Sequence, residues 1–325
     1  SVTARDKTSY GTSKNMNEMK SANFVTLLKD PVWKYNQNNY PTFREIDSTI
    51  NEINYIEDLV ELSIGVNSGI TYSGKTVKLM RTLDFNQDSS YRSPNDTTTY
   101  GDYNGNGQIQ TIKEELTTGK GWKPIGMNGY SLFLDNTFDG QGFEIRNIYM
   151  NGSYNGSDGF FSNPKNLVIK NFGLTGEMQN VASAGALAGY PYGNIYVLNC
   201  YNKVNVYATS YAAGIIGDEW NCDDIYIDNF YNTGNITCSR YAAGLTGYHG
   251  GRRVEIRNSY NEGTITGGQA GGICAYDDTD IMENCYNIGK VTDDRVGGIS
   301  GQKDSFSTTI MANCYNTADV VGSSE

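Results

Sequence analysis

The chain holds a single histidine, His249, in 325 residues. Zinc hydrolase motifs that need paired histidines are therefore excluded. A Ser-His-Asp triad could use only this residue, and nothing resembling a nucleophile elbow is present, so His249, in a Tyr-His-Gly-Gly turn, is expected to lie in an exposed loop. Charged residues are sparse, at 19%, and 25 basic against 36 acidic groups give a net charge of −11. A nucleic-acid partner needs a basic footprint, so that class is excluded too. No run approaches the roughly 18 apolar residues that a membrane-spanning helix requires. No signal peptide is visible at Ser1 and no sorting signal at the end, as expected of a mature or excised piece.

Cysteine is scarce as well, with six copies. Cys200, Cys285 and Cys314 fall at one equivalent place in an internal repeat and so form a ladder. Rungs about 4.8 Å apart bring such cysteines close, but their parallel Cβ directions fit disulfide geometry poorly. Buried thiols without disulfides are expected.

What the chain has in quantity is Gly, 38 copies, and Tyr, 25 copies. Gly, Asn and Asp suit turns that need positive φ, while Tyr and β-branched residues suit pleated surfaces. From Ala184 onward two phrases recur five times in the same order. The first is AGALAG at Ala184, AAGIIG at Ala212, AAGLTG at Ala242, AGGICA at Ala270 and VGGISG at Val296. The second is NCYN at Asn199, NFYN at Asn229, NSYN at Asn258, NCYN at Asn284 and NCYN at Asn313. A period of roughly 26 to 30 residues is that of a solenoid.

Aligned repeats yield vertical files. The apolar ones are Leu187/Ile215/Leu245/Ile273/Ile299, Val197/Ile227/Ile256/Met282/Met311 and Val206/Ile236/Ile265/Val291/Val320. Three short apolar segments per period predict three strands per turn, and such repeats bury their apolar residues only by stacking. Two Asn files, from Asn199 and from Asn202, suit stacked amides that bond along the axis. Between them runs Tyr201/Tyr231/Tyr260/Tyr286/Tyr315. Either this file or its Cys/Phe/Ser neighbour faces inward. Stacking for stability is the plainer role for the tyrosines, and an exposed stripe that grips a glycan or partner is the other.

Upstream the period continues more weakly, with Ile145 and Asn147, then Ile169 and Asn171, and Phe160 at the apolar-Gly position. WKPIG from Trp122 and TFDGQG from Thr137 read as first rungs. Ile53, Ile56, Leu59, Val60 and Ile64 lie near helical spacing, which predicts a helix capping the solenoid's open edge. Val77 to Phe85 reads as a strand.

The apolar-Gly phrases, AAGLTG at Ala242 above all, resemble the GLUG repeats of bacterial surface proteins, named for a Gly-Leu-x-Gly phrase and found beside protease domains of IgA-cleaving peptidases and in adhesins. WKPIG followed by TFDGQGFEIRNIYM resembles the lead-in of such proteins. The resemblance runs from about Leu59 to the C-terminus. It implies a right-handed β-helical stalk or adhesin at the cell surface, with extracellular glycan or protein as partner, and no catalytic residue. Residues 1–45 resemble the segment that usually follows such repeats, yet here they precede them. Their Phe24, Trp33 and Tyr40 must pack on something, in this chain or on a neighbouring copy. The organisation expected is thus residues 1–45 as a closing segment, 46–120 as capping helix, first strands and a long insertion, and 121–325 as the solenoid.

Two kinds of chemistry remain to be placed. The pairs Asp223–Asp224, Asp277–Asp278 with Asp280, and Asp293–Asp294 would suit a polysaccharide lyase or hydrolase, but all fall between strands, where turn duty is commoner. The phrase from Asp102 reproduces part of a calcium loop. Asp102, Asn104 and Asn106 are oxygen donors, Gly107 permits the sharp turn, and Glu114 stands one residue beyond the position expected for the bidentate acid. A structural Ca²⁺ is the one cofactor this predicts.

Overall fold

In a computed structural model the described residues are 50–323 except 128–134, 251–252, 278–280 and 304–308, with the strands Trp33–Lys34 and Thr42–Phe43. Those two strands pair antiparallel. The expected docking of residues 1–45 otherwise lies outside the described residues.

Parallel pairing dominates everything that follows. Strands stack in register, Ile227 on Ile256, Ile256 on Met282 and Met282 on Met311, into a parallel β-solenoid of about 9 turns. The three predicted apolar files occupy its interior through four repeats, where Leu187, Ile215, Leu245, Ile273, Val197, Ile227, Ile256, Val206, Ile236 and Ile265 are fully buried; in the fifth, Met311 and Val320 are exposed. Each such side chain contributes roughly 1.5–3 kcal/mol through burial that no rung achieves alone. The apolar segments are cut where the chain bends. A regular rung therefore holds five short stretches: Arg253–Arg257, Tyr260–Asn261, Ile265–Thr266, Gln269–Gly271 and Cys274–Asp277.

The bend before each Tyr is made by an Asn in the left-handed region. Asn147, Asn171, Asn199, Asn229, Asn258, Asn284 and Asn313 have φ between 50° and 56°, a conformation that Asn adopts more readily than other side chains. This bend decides the inward file. In the stretch from Ile195 the buried residues are Ile195, Val197, Cys200, Asn202, Val204 and Val206. Alternation breaks once, at Asn199, so Cys200 turns inward and Tyr201 outward. None of the six cysteines forms a disulfide, and burial pushes the Cys200 thiol up to about 12.

The Asn files divide the polar work. Outer Asn229 donates back to Asn199 at 2.9 Å, and Asn284 back to Asn258 at 3.0 Å. The inner file is buried and donates forward: Asn202 to Asn232, Asn232 to Asn261, Asn261 to Asn287 and Asn287 to Asn316, each at 2.7 Å. Each inner amide also donates to a carbonyl two residues on, as Asn232 does to Gly234 at 2.8 Å. Buried amides are thereby satisfied, which removes a penalty of about 1–3 kcal/mol per group.

Helix α1, Ile56–Asn67, starts and ends three residues later than the spacing Ile53–Ile64 suggests. Ile53 belongs to the strand Glu52–Ile53, which pairs with Lys78–Leu79. The Asp58 carboxylate then accepts from the Asn54 and Tyr55 amides at 2.8 and 2.9 Å and fixes the helix start. Ile56, Leu59, Val60, Leu62 and Ile64 join the same continuous core as the rungs. Strands Thr76–Leu79 and Leu83–Asp84 realise the predicted Val77–Phe85 element and pair onward to residues 137–139 and 145–146. Strands within the segment expected to be set apart, Glu52–Ile53, Thr76–Leu79 and Leu83–Asp84, thus belong to the first rungs.

Candidate functional site

Two aromatic surfaces line the outside of the column. The expected Tyr file is one of them: Tyr201, Tyr231, Tyr260, Tyr286 and Tyr315 stack with centroids 4.7–5.3 Å apart and planes within 9°. At its start Gly173 leaves room for the Tyr201 ring, since a Cβ there would lie 2.2 Å from the ring's Cζ. The Tyr201 hydroxyl reaches over it to donate to Glu144.

The second surface was not found by sequence reasoning. In each late rung, residues seven apart flank the apolar-Gly phrase: Tyr211 and Asp218, Tyr241 and Tyr248, Gln269 and Tyr276, Arg295 and Gln302. Strand register stacks them into two columns. Tyr211, Tyr241, Gln269 and Arg295 form one, and Asp218 beside Tyr248 and Tyr276 beside Gln302 belong to the other. The chain doubles back between them tightly enough that a Cβ on Gly271 would come within 1.7 Å of the Cys274 carbonyl. Only glycine allows that approach. The columns consequently meet edge to face: Tyr241 lies 5.2 Å from Tyr248 at 63° and 5.9 Å from Tyr276 at 89°. Small Ala243 and Ala275 are buried with them.

Trp220 completes this corner. Its indole stacks on Tyr248 at 4.9 Å, Tyr248 stacks on Tyr276 at 4.9 Å, and Trp220 remains 54% exposed. Arg240 lies over the Tyr241 and Tyr211 rings and donates to the Tyr211 hydroxyl at 3.0 Å. Three acceptor oxygens here, Asp218 Oδ1, Gln269 Oε1 and Gln302 Oε1, lack hydrogen-bond partners among the described residues. Burial, followed by the Glu219 charge, raises the Asp218 carboxyl to about 6. The signal that could have found the corner is the seven-residue spacing of Tyr around the glycine phrase.

On the inner side of the same strands lies His249, expected from sequence to sit in an exposed loop. It is instead buried, in the strand Thr246–His249, because parallel pairing continues past the glycine and sets it beside Glu219. Burial raises the Glu219 carboxyl, and the His249 imidazole opposes that rise. Cys222 is buried too, and burial with the Glu219 charge keeps its thiol protonated.

The loop from Asp102 is shaped by its own hydrogen bonds. Asp102 Oδ2 accepts from the Gly107 amide at 2.9 Å, Asn104 Oδ1 from Asn106 at 3.1 Å, and Asn106 Oδ1 from Gln108 at 2.8 Å. Glu114 points elsewhere. Its carboxylate accepts from the Thr111 amide and hydroxyl, capping helix α2, Ile112–Thr117. The acid that meets the loop is Glu115, which accepts from the Asn104 amide at 2.8 Å and is raised to about 7, chiefly by burial. Among the described residues no three His, Cys, Asp or Glu side chains converge as a metal set. The acidic pairs lie on separate rungs: Asp224 is in register with Arg253, and Asp294 accepts from the Ser323 hydroxyl at 2.8 Å. Asp278 and Asp280 lie outside the described residues.

No family model matches the chain, and no curated protein matches it. Its fold is shared by solved structures, among them two that are named as IgA1 proteases. One is the crystal structure of a "putative immunoglobulin A1 protease" from Bacteroides ovatus, with TM-score 0.50 and 19% identity over 84% of this chain and 78% of that one. The other is a structure named IgA1 Protease, with TM-score 0.50 and 14% identity; the match covers 89% of this chain but only 22% of that longer one. At these identities the likeness is one of fold: a parallel β-solenoid also present in chains named as IgA1 proteases.

Proposed function

We propose that the chain is a non-catalytic module of a bacterial cell-surface protein, an adhesin or stalk that holds extracellular glycan or protein against its lateral face. The observation that carries this reading is the pair of outward aromatic surfaces running along one continuous column of rungs. A solenoid wall fixes side chains at a constant spacing, so a ligand meets an ordered surface without a cost in loop ordering. The GLUG-like phrases and the fold shared with chains named as IgA1 proteases support a place beside such domains at the cell surface. Surface labelling of the producing bacterium with antibody against the chain, together with binding of the purified chain to mucin-coated wells, tests it. An unlabelled surface, with the chain found only inside the cell, overturns it.

A second reading is self-assembly of copies end to end. It draws on the stacking itself, since each rung meets the next through parallel strand edges and in-register apolar files that a further copy could extend. Concentration-dependent growth in sedimentation velocity would favour it over the lateral-binding reading. For the loop at residues 102–115, a structural calcium held by Asp102, Asn104 and Asn106 is proposed, with Glu115 in the role that spacing gave to Glu114.

A further inference from the structure

We propose that the corner formed by Trp220, Tyr248, Tyr276, Asp218, Gln269 and Gln302 is a binding site for a neutral glycan. The proposal rests on the lateral-binding reading and names its site and ligand class. Trp220 offers a large exposed apolar face whose position is fixed by stacking on Tyr248. Sugar rings present apolar C–H faces to such platforms and hydroxyls around their rims.

The polar complement selects among ligands. The three orphaned atoms at this corner are all acceptors, so the missing partner is a donor. Each belongs to a half-buried side chain whose terminal torsion is soft, and a small rotation brings the oxygen to the surface. An acceptor left without a partner gains on making that move. Sugar hydroxyls are donors in number. A proline-rich peptide, the other usual occupant of aromatic grooves, offers mainly carbonyl acceptors and leaves these oxygens unmet. An anionic glycan would face the Asp218 carboxylate and a chain of net charge −11. Arg240 is already engaged with the two tyrosines of the first column, and Arg295, in register with Gln269, is the other described cation of that column. From Asp218 to Gln302 the column spans three rung intervals, about 14 Å, so the site suits an oligosaccharide more than a single sugar.

The test uses the full chain and affinity electrophoresis against soluble xyloglucan, galactomannan, mixed-linkage β-glucan and neutral mucin O-glycans. Polygalacturonate, heparin and a proline-rich peptide serve as comparators. Retardation by at least one neutral glycan is expected, with a loss of roughly tenfold or more in affinity for Trp220→Ala. Asp218→Asn and Gln302→Leu, assayed with a thermal melt to verify folding, should weaken the same interaction. Tyr286→Ala, on the other aromatic surface, should not. Binding that survives Trp220→Ala and Asp218→Asn but is lost in Tyr286→Ala overturns the site while leaving lateral binding intact. Preference for the anionic glycans or the peptide overturns the ligand class. A chain that binds none of these probes and no mucin-coated surface overturns both the site and the broader reading.

Discussion

Glu219 and His249 occupy one register position on adjacent rungs, and their side chains meet, Oε1 to Nδ1, at 3.2 Å in a site closed to solvent. Burial disfavours the charged form of the Glu219 carboxyl and the His249 imidazole opposes that effect, so each residue depends on the other for its place there. His249→Ala removes the group that opposes this and leaves a buried carboxyl without its partner, which should cost about 3 kcal/mol. Glu219→Gln keeps the shape and a hydrogen-bonding group beside the imidazole and should cost clearly less. Urea unfolding of both variants measures the difference, and equal losses would show that the pair acts by packing alone.

The two Asn files should respond differently to substitution. Inner Asn232 donates to Asn261 and Gly234 and accepts from Asn202. Asn232→Ala leaves buried groups on both neighbouring rungs unmet and should cost about 2–4 kcal/mol. Outer Asn229 matters chiefly through its φ of 54°. Asn229→Gly should be close to neutral, and Asn229→Ala should cost about 1 kcal/mol. Thermal melts of the three variants give the order, and a reversed order would disprove the division of labour.

Stability should fall as pH rises from about 5 to 8. Glu115, at about 7, and Asp218, at about 6, bind protons more tightly in the fold than in the unfolded chain, in both cases chiefly because of burial. Their contribution is fully present below the ordinary carboxylate range and is lost as pH passes through the raised values. Asp139 and Glu144 are shifted the other way by hydrogen bonds and cations that outweigh their burial. Their contribution fades in acid, so the optimum should lie near pH 5. Glu115→Gln should flatten the slope between pH 6 and 8, read from melting temperatures. An unchanged slope would place the cause elsewhere.

Calcium should act through Glu115 and not through Glu114. Calorimetry at pH 8 should find one site that is lost in Asp102→Ala and Glu115→Gln. Glu114→Ala should keep the site while lowering stability slightly through the lost half of the capping box. Absence of heat at millimolar calcium would remove the metal from the loop.

The sequence by itself determined the solenoid. Phrases that recur at one spacing can bury their apolar files only by stacking, so Ile227, Ile256 and Met282 had to meet. It also determined the Asn files, because an amide repeated once per rung finds its own kind above and below. Facing was decided only by the tertiary structure. Strict alternation from Val197 would turn Tyr201 inward, and the left-handed Asn199 shifts the count by one, so the buried file is Cys200, Phe230, Ser259 and Cys285. His249 was misplaced for a related reason: a Gly-rich phrase reads as a loop until a neighbouring rung pairs with it. The aromatic corner was equally hidden, since seven residues of separation bring Tyr241 and Tyr248 together only when glycines let the chain double back within one rung.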